Sequence, residues 1–368
     1  MKKRKYILVN GDTKRVGNHT LYRIQAVRSF ADVKKGDYGG YIESEENLSH
    51  SDNCWVYDNA MVYGEANVIY DAKVRGNARV YGSARVAQDA EVVGNAKVSG
   101  RAMVYGQAVV GGYAVVRGVV TDKAIVRGKA KVYSRARVIA NARVEDNSVI
   151  KGKAVISGRA VVVESAVIYG NARVTGNAVV GGSAKVYGDA VITDKARVYS
   201  YAEVFDSAII SGMAIVRGSA KVFDAALVTG TTWVEGDARI YGYAKLSYYR
   251  IAEDILSNMR KYIACSLGVV PIKGKYILYK RVNKLQKGVY RSLFDYSFYY
   301  KDGEVVKVEN YDPDKKTGCS SGIHVSTPFY WHSGDTLIAV EVKEEDIITC
   351  MEGKLRVKAV KVLGEVEI

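Results

Sequence analysis

Between Val56 and Leu246 one short phrase recurs almost without interruption: small residue, any residue, aliphatic, any residue, turn residue, any residue. Ala60-Met61-Val62-Tyr63-Gly64-Glu65 and Ala184-Lys185-Val186-Tyr187-Gly188-Asp189 are typical. The aliphatic returns every six residues from Val56 to Val116, 11 times in all. A two-residue deletion follows at Gly118-Val119-Val120, and the aliphatic then recurs 22 more times, from Val120 to Leu246. In 29 of these 33 phrases Ala stands two residues before the aliphatic; the exceptions are Cys54, Gly118, Ser148 and Thr232. A helix repeats every 3.6 residues and a flat strand every two, so a strict six suits neither alone. It suits a short strand followed by a corner, repeated.

In that geometry the Ala and the aliphatic point inward, with polar residues such as Lys73, Arg79 and Arg137 facing out between them. Two residues past the aliphatic, Gly or Asp dominates (Gly64, Gly82, Gly170, Asp194, Asp206) and supplies the corner's unusual backbone angles. The residue just after the aliphatic reveals how many corners close one coil. At a spacing of 18, Tyr133, Lys151, Tyr169, Tyr187, Phe205, Phe223 and Tyr241 line up, while a neighbouring wall gives Ser157, Thr175, Thr193, Ser211, Thr229 and Ser247. Three phrases therefore make one coil. The expectation is an all-β solenoid, a three-sided parallel β-helix of about 11 coils and roughly 50 Å at ~4.8 Å per strand. The deletion is expected to shorten one corner and shift side-chain facing without ending the coils.

These phrases resemble the bacterial hexapeptide-repeat family, whose members form left-handed β-helices. The left hand is implied by that resemblance alone, since general crossover chirality favours the right. Some members of the family form trimers, which makes a homo-oligomer the implied assembly. The opening Gly36-Asp37-Tyr38-Gly39-Gly40-Tyr41-Ile42 resembles the leader of phage and prophage hexapeptide-repeat proteins of unknown function. Acyltransferases of the family use a histidine base and commonly a loop projecting from the prism. Here no histidine stands between His50 and His324, and neither a proline nor a long insertion interrupts 56–247. A degenerate acyltransferase is thus the weaker implication.

Residues 1–41 read as an N-terminal cap, because an open β-helix end exposes unpaired strand edges. Tyr6–Val9 and Leu21–Val27 suggest a hairpin turning at Asn10-Gly11. The coils occupy 42–247, with Ile42 and Leu48 already on the six-residue step. Residues 248–268 read as an amphipathic capping helix: Ile251, Ile255, Met259 and Ile263 recur at four-residue spacing, ending near Gly268. Residues 269–368 form a small C-terminal β-rich domain, with strands at Tyr276–Val282, Gly322–Val325, Thr336–Val342 and Leu355–Val362 and a hairpin around Asp302-Gly303.

The chain of 368 residues carries a formal charge of +15. Between Arg117 and Arg159 stand 11 Lys and Arg against only Asp122, Glu145 and Asp146. These basic residues fall on all three walls and make a girdle, whereas a nucleic-acid site follows one face and interleaves stacking aromatics. That argues against nucleic acid. No 18-residue apolar run is present and the apolar run after the basic start is too short for a signal peptide, so a cytoplasmic protein without a membrane segment is expected. Cys54, Cys265, Cys319 and Cys350 form no CxxC pair and read as reduced thiols, Cys54 packing inside its coil. His19 and His50 read as turn or solvent-exposed residues.

The irregular residues with chemical potential lie in the C-terminal domain. His324, Tyr330, Trp331, His332 and Arg281 are the candidate binding residues. Cys319, His324, His332 and Cys350 have the ligand types for zinc, but in no recognised spacing. Arg281, Ser326 and Glu341 or Glu344 follow an order similar to that of the ADP-ribosyltransferases, in which Arg holds the dinucleotide and Glu polarises the ribose. Only 15 residues separate Ser326 from Glu341, a short interval for that architecture. The leading expectation is a non-enzymatic scaffold or binding protein without cofactor or metal. Its rigid coils would present the C-terminal domain to a protein partner of host or virus.

Overall fold

The structure, a computed structural model, describes residues 4–248, 250–255 and 257–367. The chain divides into two compact units, Met1–Phe205 and Asp206–Ile368.

The first unit opens with a hairpin of two long strands, Tyr6–Val16 and His19–Ala26, paired from Tyr6 opposite Ala26 to Val16 opposite His19. The turn therefore sits at Gly17-Asn18. Asn10-Gly11, expected to be the turn, is instead a ladder irregularity between Val9 and Thr13. A bulge absorbs such residues without reversing the strand. The strand Tyr38–Ile42 then pairs antiparallel with the hairpin and parallel with Met61–Val62, so the hairpin extends one wall of the coils. Gly39 and Gly40 allow this close approach: a Cβ on Gly39 would lie 2.7 Å from the Trp55 ring, and one on Gly40 would lie 2.4 Å from the Ala60 carbonyl. Lys5, fully buried, donates to the carbonyls of Cys54 at 2.8 Å and of Ser51 and Asp52 at 3.4 Å, covering part of the open end. His50 lies in a bend, as one of the two expected readings had it, but is half-buried and stacks on Tyr6 with ring centroids 4.3 Å apart.

Behind this cap run two-residue strands on three walls, each paired in parallel with its counterpart one coil on, as in Lys97–Val98 with Arg79–Val80. The inward Ala and Val or Ile are fully buried, for example Ala166, Ile168, Ala178 and Val180. Cys54 is buried in the same small position. The residue two after the aliphatic takes a left-handed conformation whether or not it is glycine, as at Gly64 (φ 68°), Asp122 (φ 60°) and Glu164 (φ 61°). Where it is acidic, its carboxylate accepts an amide proton one coil further: Asp122 from Ala140 at 2.8 Å and Asp146 from Glu164 at 3.0 Å.

Around Gly118 the paired residues are sixteen apart in sequence instead of eighteen, as in Val104 with Val120, Val110 with Val126 and Val116 with Val132. The deletion removes a corner's left-handed residue and shortens that corner, as expected. The expected shift in facing does not occur: Val116 and Val120 are both fully buried, and Gly118 keeps the buried small position. Both missing residues come out of the corner, so the strands on either side keep their inward phase.

The 18-residue ladders are physical. Tyr169 and Tyr187 stack at 4.7 Å, and Tyr187 and Phe205 at 4.9 Å. Thr175 donates to Thr193 at 3.0 Å on the hydroxyl wall.

The second unit carries the same coils: Lys221–Val222 pairs with Arg239–Ile240, Phe223 stacks on Tyr241 at 5.3 Å, and Ser211 donates to Thr229 at 3.0 Å. Its last coil strand is Arg250–Ile251, paired with Trp233–Val234. The expected helix is consequently shorter. It spans only Met259–Leu267, with the Asn258 side chain accepting from the Lys261 amide and Gly268 (φ 71°) ending it. Ile251 belongs to a strand and Ile255 to the connection; both are buried, so four-residue spacing arose without helix. On the helix, Tyr262 and Ile263 are buried, and the Tyr262 hydroxyl lies 3.9 Å from the Met351 sulfur of the C-terminal domain.

That domain has a six-stranded antiparallel sheet in the order Tyr299–Lys301, Val289–Arg291, Lys275–Gln286, Thr336–Lys343, Ala359–Glu365, Val305–Lys307. A three-stranded sheet places Lys354–Val357 between Ile323–Val325 and Ile347–Met351. The expected hairpin around Asp302-Gly303 is absent: Tyr299–Lys301 pairs with Val289–Arg291, whereas Val305–Lys307 pairs with Ala359–Glu365. The expected strand Leu355–Val362 is likewise broken at Lys358, its halves lying in different sheets. Among the described residues no helix is long and apolar enough to cross a membrane.

Two stability measurements check this architecture. A Cβ on Gly118 would lie 2.5 Å from the Ala136 carbonyl, whereas one on Gly11 meets nothing within 4 Å. Gly118→Val should lower the thermal midpoint by several degrees and Gly11→Val should leave it nearly unchanged. Tyr187 stacks on two rings and Tyr201 is 71% exposed. Tyr187→Ala should therefore cost about 1–3 kcal/mol in denaturant unfolding, against little for Tyr201→Ala.

Candidate functional site

The strand Lys275–Gln286 alternates strictly at its start: Tyr276, Leu278, Lys280 and Val282 are buried, while Ile277, Tyr279 and Arg281 are not. Side chains two apart share a face, so Lys280 enters the interior among apolar neighbours and Arg281 lies on the other side. Lys280 is 6% exposed. Its Nζ donates to the His324 carbonyl at 3.1 Å and lies 5.7 Å from the ring centroids of Tyr300 and Trp331. Among the described residues no carboxylate pairs with it. Burial pushes its amine down to about 8.

A cavity of about 230 Å³ adjoins Lys280, lined also by Ser292, Phe294, Phe298, Tyr300 and His324. The loop 292–298 forms part of this wall. It is held by Ser292, whose hydroxyl oxygen accepts the amide protons of Phe294 and Asp295 at 3.4 and 3.3 Å, and by the Ser292 amide, which donates to the Phe298 carbonyl at 2.9 Å. Asp295 also lines the cavity, and its carboxylate accepts the Ser297 hydroxyl at 2.6 Å, which holds it below the ordinary range. Burial and then Asp295 raise the Tyr300 hydroxyl well above its usual value. Burial first, then the charges of Lys280 and Lys354, push His324 down to about 4. His324 is consequently a neutral imidazole at neutral pH, and its Nε2 is buried with no hydrogen-bond partner among the described residues.

The structure brings together some of the residues expected at a site. His324 lies on Ile323–Val325 at the cavity, and the Trp331 ring stands over Lys280. Tyr330 packs edge-on against Trp331 at 4.7 Å. His332 is exposed in the following loop. Arg281 does not join them; it lies beneath the chain at Gly334, where an added Cβ would come within 3.1 Å of the arginine Cβ. Lys280, the buried cation next to Arg281, was missed, although strict alternation through Leu278 and Val282 places it inward.

The ADP-ribosyltransferase residues do not converge. Arg281 sits opposite Leu337 and Glu341 opposite Ile277, four positions apart along the same strand pair. Ser326 donates its hydroxyl to the Gly353 carbonyl at 2.5 Å, Glu341 pairs with Lys275 at 2.9 Å and Glu344 with Arg260 at 2.6 Å. The zinc candidates are likewise dispersed: Cys319 is exposed, Cys350 is fully buried, and the strand Lys354–Val357 separates Cys350 from His324. No group of three or more His, Cys, Asp or Glu among the described residues is placed to hold a metal ion.

The state of His324 has a consequence for stability. Its folded value lies below the ordinary histidine range, so as pH falls from about 6.5 toward about 4 the unfolded chain takes up a proton that the folded chain refuses. The stability His324 contributes is present above this window and is lost on descending through it. Denaturant unfolding at pH 7, 5.5 and 4.5 should show a shallower loss for His324→Gln than for the unaltered chain. Parallel losses would mean that the imidazole is not held neutral.

Comparison with known families gives two local matches. The model of a family of unknown function (DUF5758) matches residues 277–328, a span that contains Lys280, Ser292, Phe294, Phe298, Tyr300 and His324 of the cavity. A YdcK beta solenoid repeat model matches residues 96–112 and 166–182, both within the coils. No curated protein matches the chain.

Proposed function

We propose that this is a non-enzymatic binding protein whose coils are the support and whose C-terminal domain makes the specific contact with a protein partner. The observation that carries this reading is the segment 294–299, which holds Phe294 80%, Tyr296 64% and Tyr299 47% exposed. Large aromatics held in solvent on a short, hydrogen-bonded loop and at the start of the strand after it are the residue types that anchor protein interfaces. The coils offer less to distinguish one partner from another, because the same phrase is presented again and again on each wall. The solenoid repeat match supports a structural role for them. The resemblance of the leader to phage proteins makes a host macromolecule, such as a defence factor, the concrete version of the partner.

An enzymatic reading has less behind it. The Arg281, Ser326 and Glu341 set is dispersed, with Ser326 bonded to Gly353 and Glu341 to Lys275, and the coils between His50 and His324 have no histidine to serve as an acyltransferase base.

Full-length protein should retain a defined partner from host lysate. Tyr296→Ser with Tyr299→Ser should abolish that retention, whereas Tyr201→Ser, a still more exposed aromatic on a coil, should not. Parallel incubation with labelled NAD should transfer no label. Equal loss in the Tyr201 variant, or transfer of label, would overturn the reading.

A further inference from the structure

Among the described residues three lysines are buried, each in a different way. Lys354 is paired with Glu352 at 2.8 Å. Lys5 spends its ammonium on three backbone carbonyls, of Cys54, Ser51 and Asp52. Lys280 has one, the His324 carbonyl, and two aromatic rings at 5.7 Å. A buried cation is normally paired or saturated with hydrogen bonds, because desolvating it is otherwise uncompensated. Lys280 instead borders an open cavity, and its remaining donors have no protein acceptor among the described residues.

The rest of the cavity narrows what could supply that acceptor. The Ser292 oxygen already accepts two amide protons, which leaves its own O–H to donate. One ammonium and one hydroxyl match a singly charged group with two oxygens. A phosphate dianion would call for more donors and a second cation. Phe294, Phe298 and Tyr300 give the cavity aromatic walls, and a volume of about 230 Å³ falls below that of most drug-sized sites, enough for one ring and a short stem.

We propose that this cavity is a binding site for an aromatic carboxylate, with Lys280 as its counter-charge, Ser292 as a second donor, and Phe294 and Phe298 against its ring. The inference needs no macromolecule and shares only Phe294 with the protein-partner reading; the Tyr296 and Tyr299 variants leave all its residues in place. The carboxylate could belong to a free small acid or to the C-terminal residue of a peptide; the chemistry is shared.

Lys280 also gives the site a pH signature. His324 faces it from the strand Ile323–Val325 and stays neutral above pH 6, with its value near 4. Tyr300, from the strand Tyr299–Lys301, stays protonated, and Asp295, from the loop, stays ionised. Lys354, despite its burial, is raised by its hydrogen bond to Glu352 and stays charged, and it and Arg356 act on His324. Lys280, with its value near 8, is the group facing the cavity that changes charge between pH 6 and 9.

The test uses full-length protein and calorimetric titration with phenylacetate, phenylacetamide and the free-acid tripeptide Gly-Gly-Phe. At pH 7 phenylacetate or the tripeptide should bind, and phenylacetamide should bind at least 10-fold more weakly. Binding of the free acid identifies a small-molecule site, and binding of the tripeptide alone identifies a peptide terminus. Affinity should hold from pH 6 to 7.5 and fall progressively above about 8. Lys280→Met should abolish binding while retaining the β-sheet circular dichroism of the parent. Should that variant fail to fold, the pH profile of the unaltered protein decides. Equal affinity for acid and amide, a flat profile between pH 7 and 10, or no binding of either acid would overturn the proposal.

Discussion

The backbone ladder between successive coils is the interaction on which the rest of the repeat region depends. Each two-residue strand bonds to its counterparts one coil away, as in Lys97 N to Ala114 O at 2.8 Å and Val161 N to Ala178 O at 2.9 Å. No strand of this length would persist alone; its neighbours supply both the hydrogen bonds and the apolar cover. Alanine at the inward small position keeps opposite walls close enough for a single layer of Val and Ile to fill the axis. Where another residue takes that place the interior still closes, as at fully buried Ser148, which donates to the Glu145 carbonyl at 2.5 Å.

A ladder of this kind must start somewhere, and its first coil exposes unpaired groups. The N-terminal segment meets that need in two ways. It adds antiparallel strands to one wall, from His19–Ala26 through Tyr38–Ile42 to Met61–Val62. It also satisfies loose polar groups with side chains: Lys5 on three carbonyls and Asn47, whose amide nitrogen donates to the carbonyls of Gly64 at 2.9 Å and Ala66 at 2.8 Å. The corners show the same economy of polar groups. An acidic residue in the left-handed position bears the strain that glycine avoids, but its carboxylate takes up an amide proton one coil on, as Asp122 does from Ala140.

Lys280 departs from that rule of saturation. Its single protein acceptor, its place beside a cavity and the neutral imidazole of His324 next to it form a polar cluster left incomplete by the chain itself. Incomplete buried polar clusters are costly and concentrate where a ligand completes them. The exposed Tyr296 and Tyr299 lie within and just beyond the loop that forms one wall of the same cavity. Small-ligand capture and partner recognition thus share Phe294 and otherwise fall to neighbouring side chains.

The six-residue phrase by itself determined the coil, the 18-residue register, the inward Ala and Val, and the aromatic and hydroxyl ladders, because in a solenoid each residue's neighbours are set by a fixed offset in the chain. The tertiary structure decided what has no such offset. Asn10-Gly11 looks like a hairpin turn, yet pairing of Val16 with His19 moves the reversal to Gly17-Asn18. Ile251 and Ile255 keep helical spacing, but the last coil claims Ile251 as a strand. Asp302-Gly303 joins strands that pair with different partners, a choice made by contacts remote in sequence. Lys280 shows the division most plainly. Alternation along its strand places it inside, while the lack of a carboxylate paired with it among the described residues and the cavity before it depend on the loop 292–298 and on His324, which no periodicity connects.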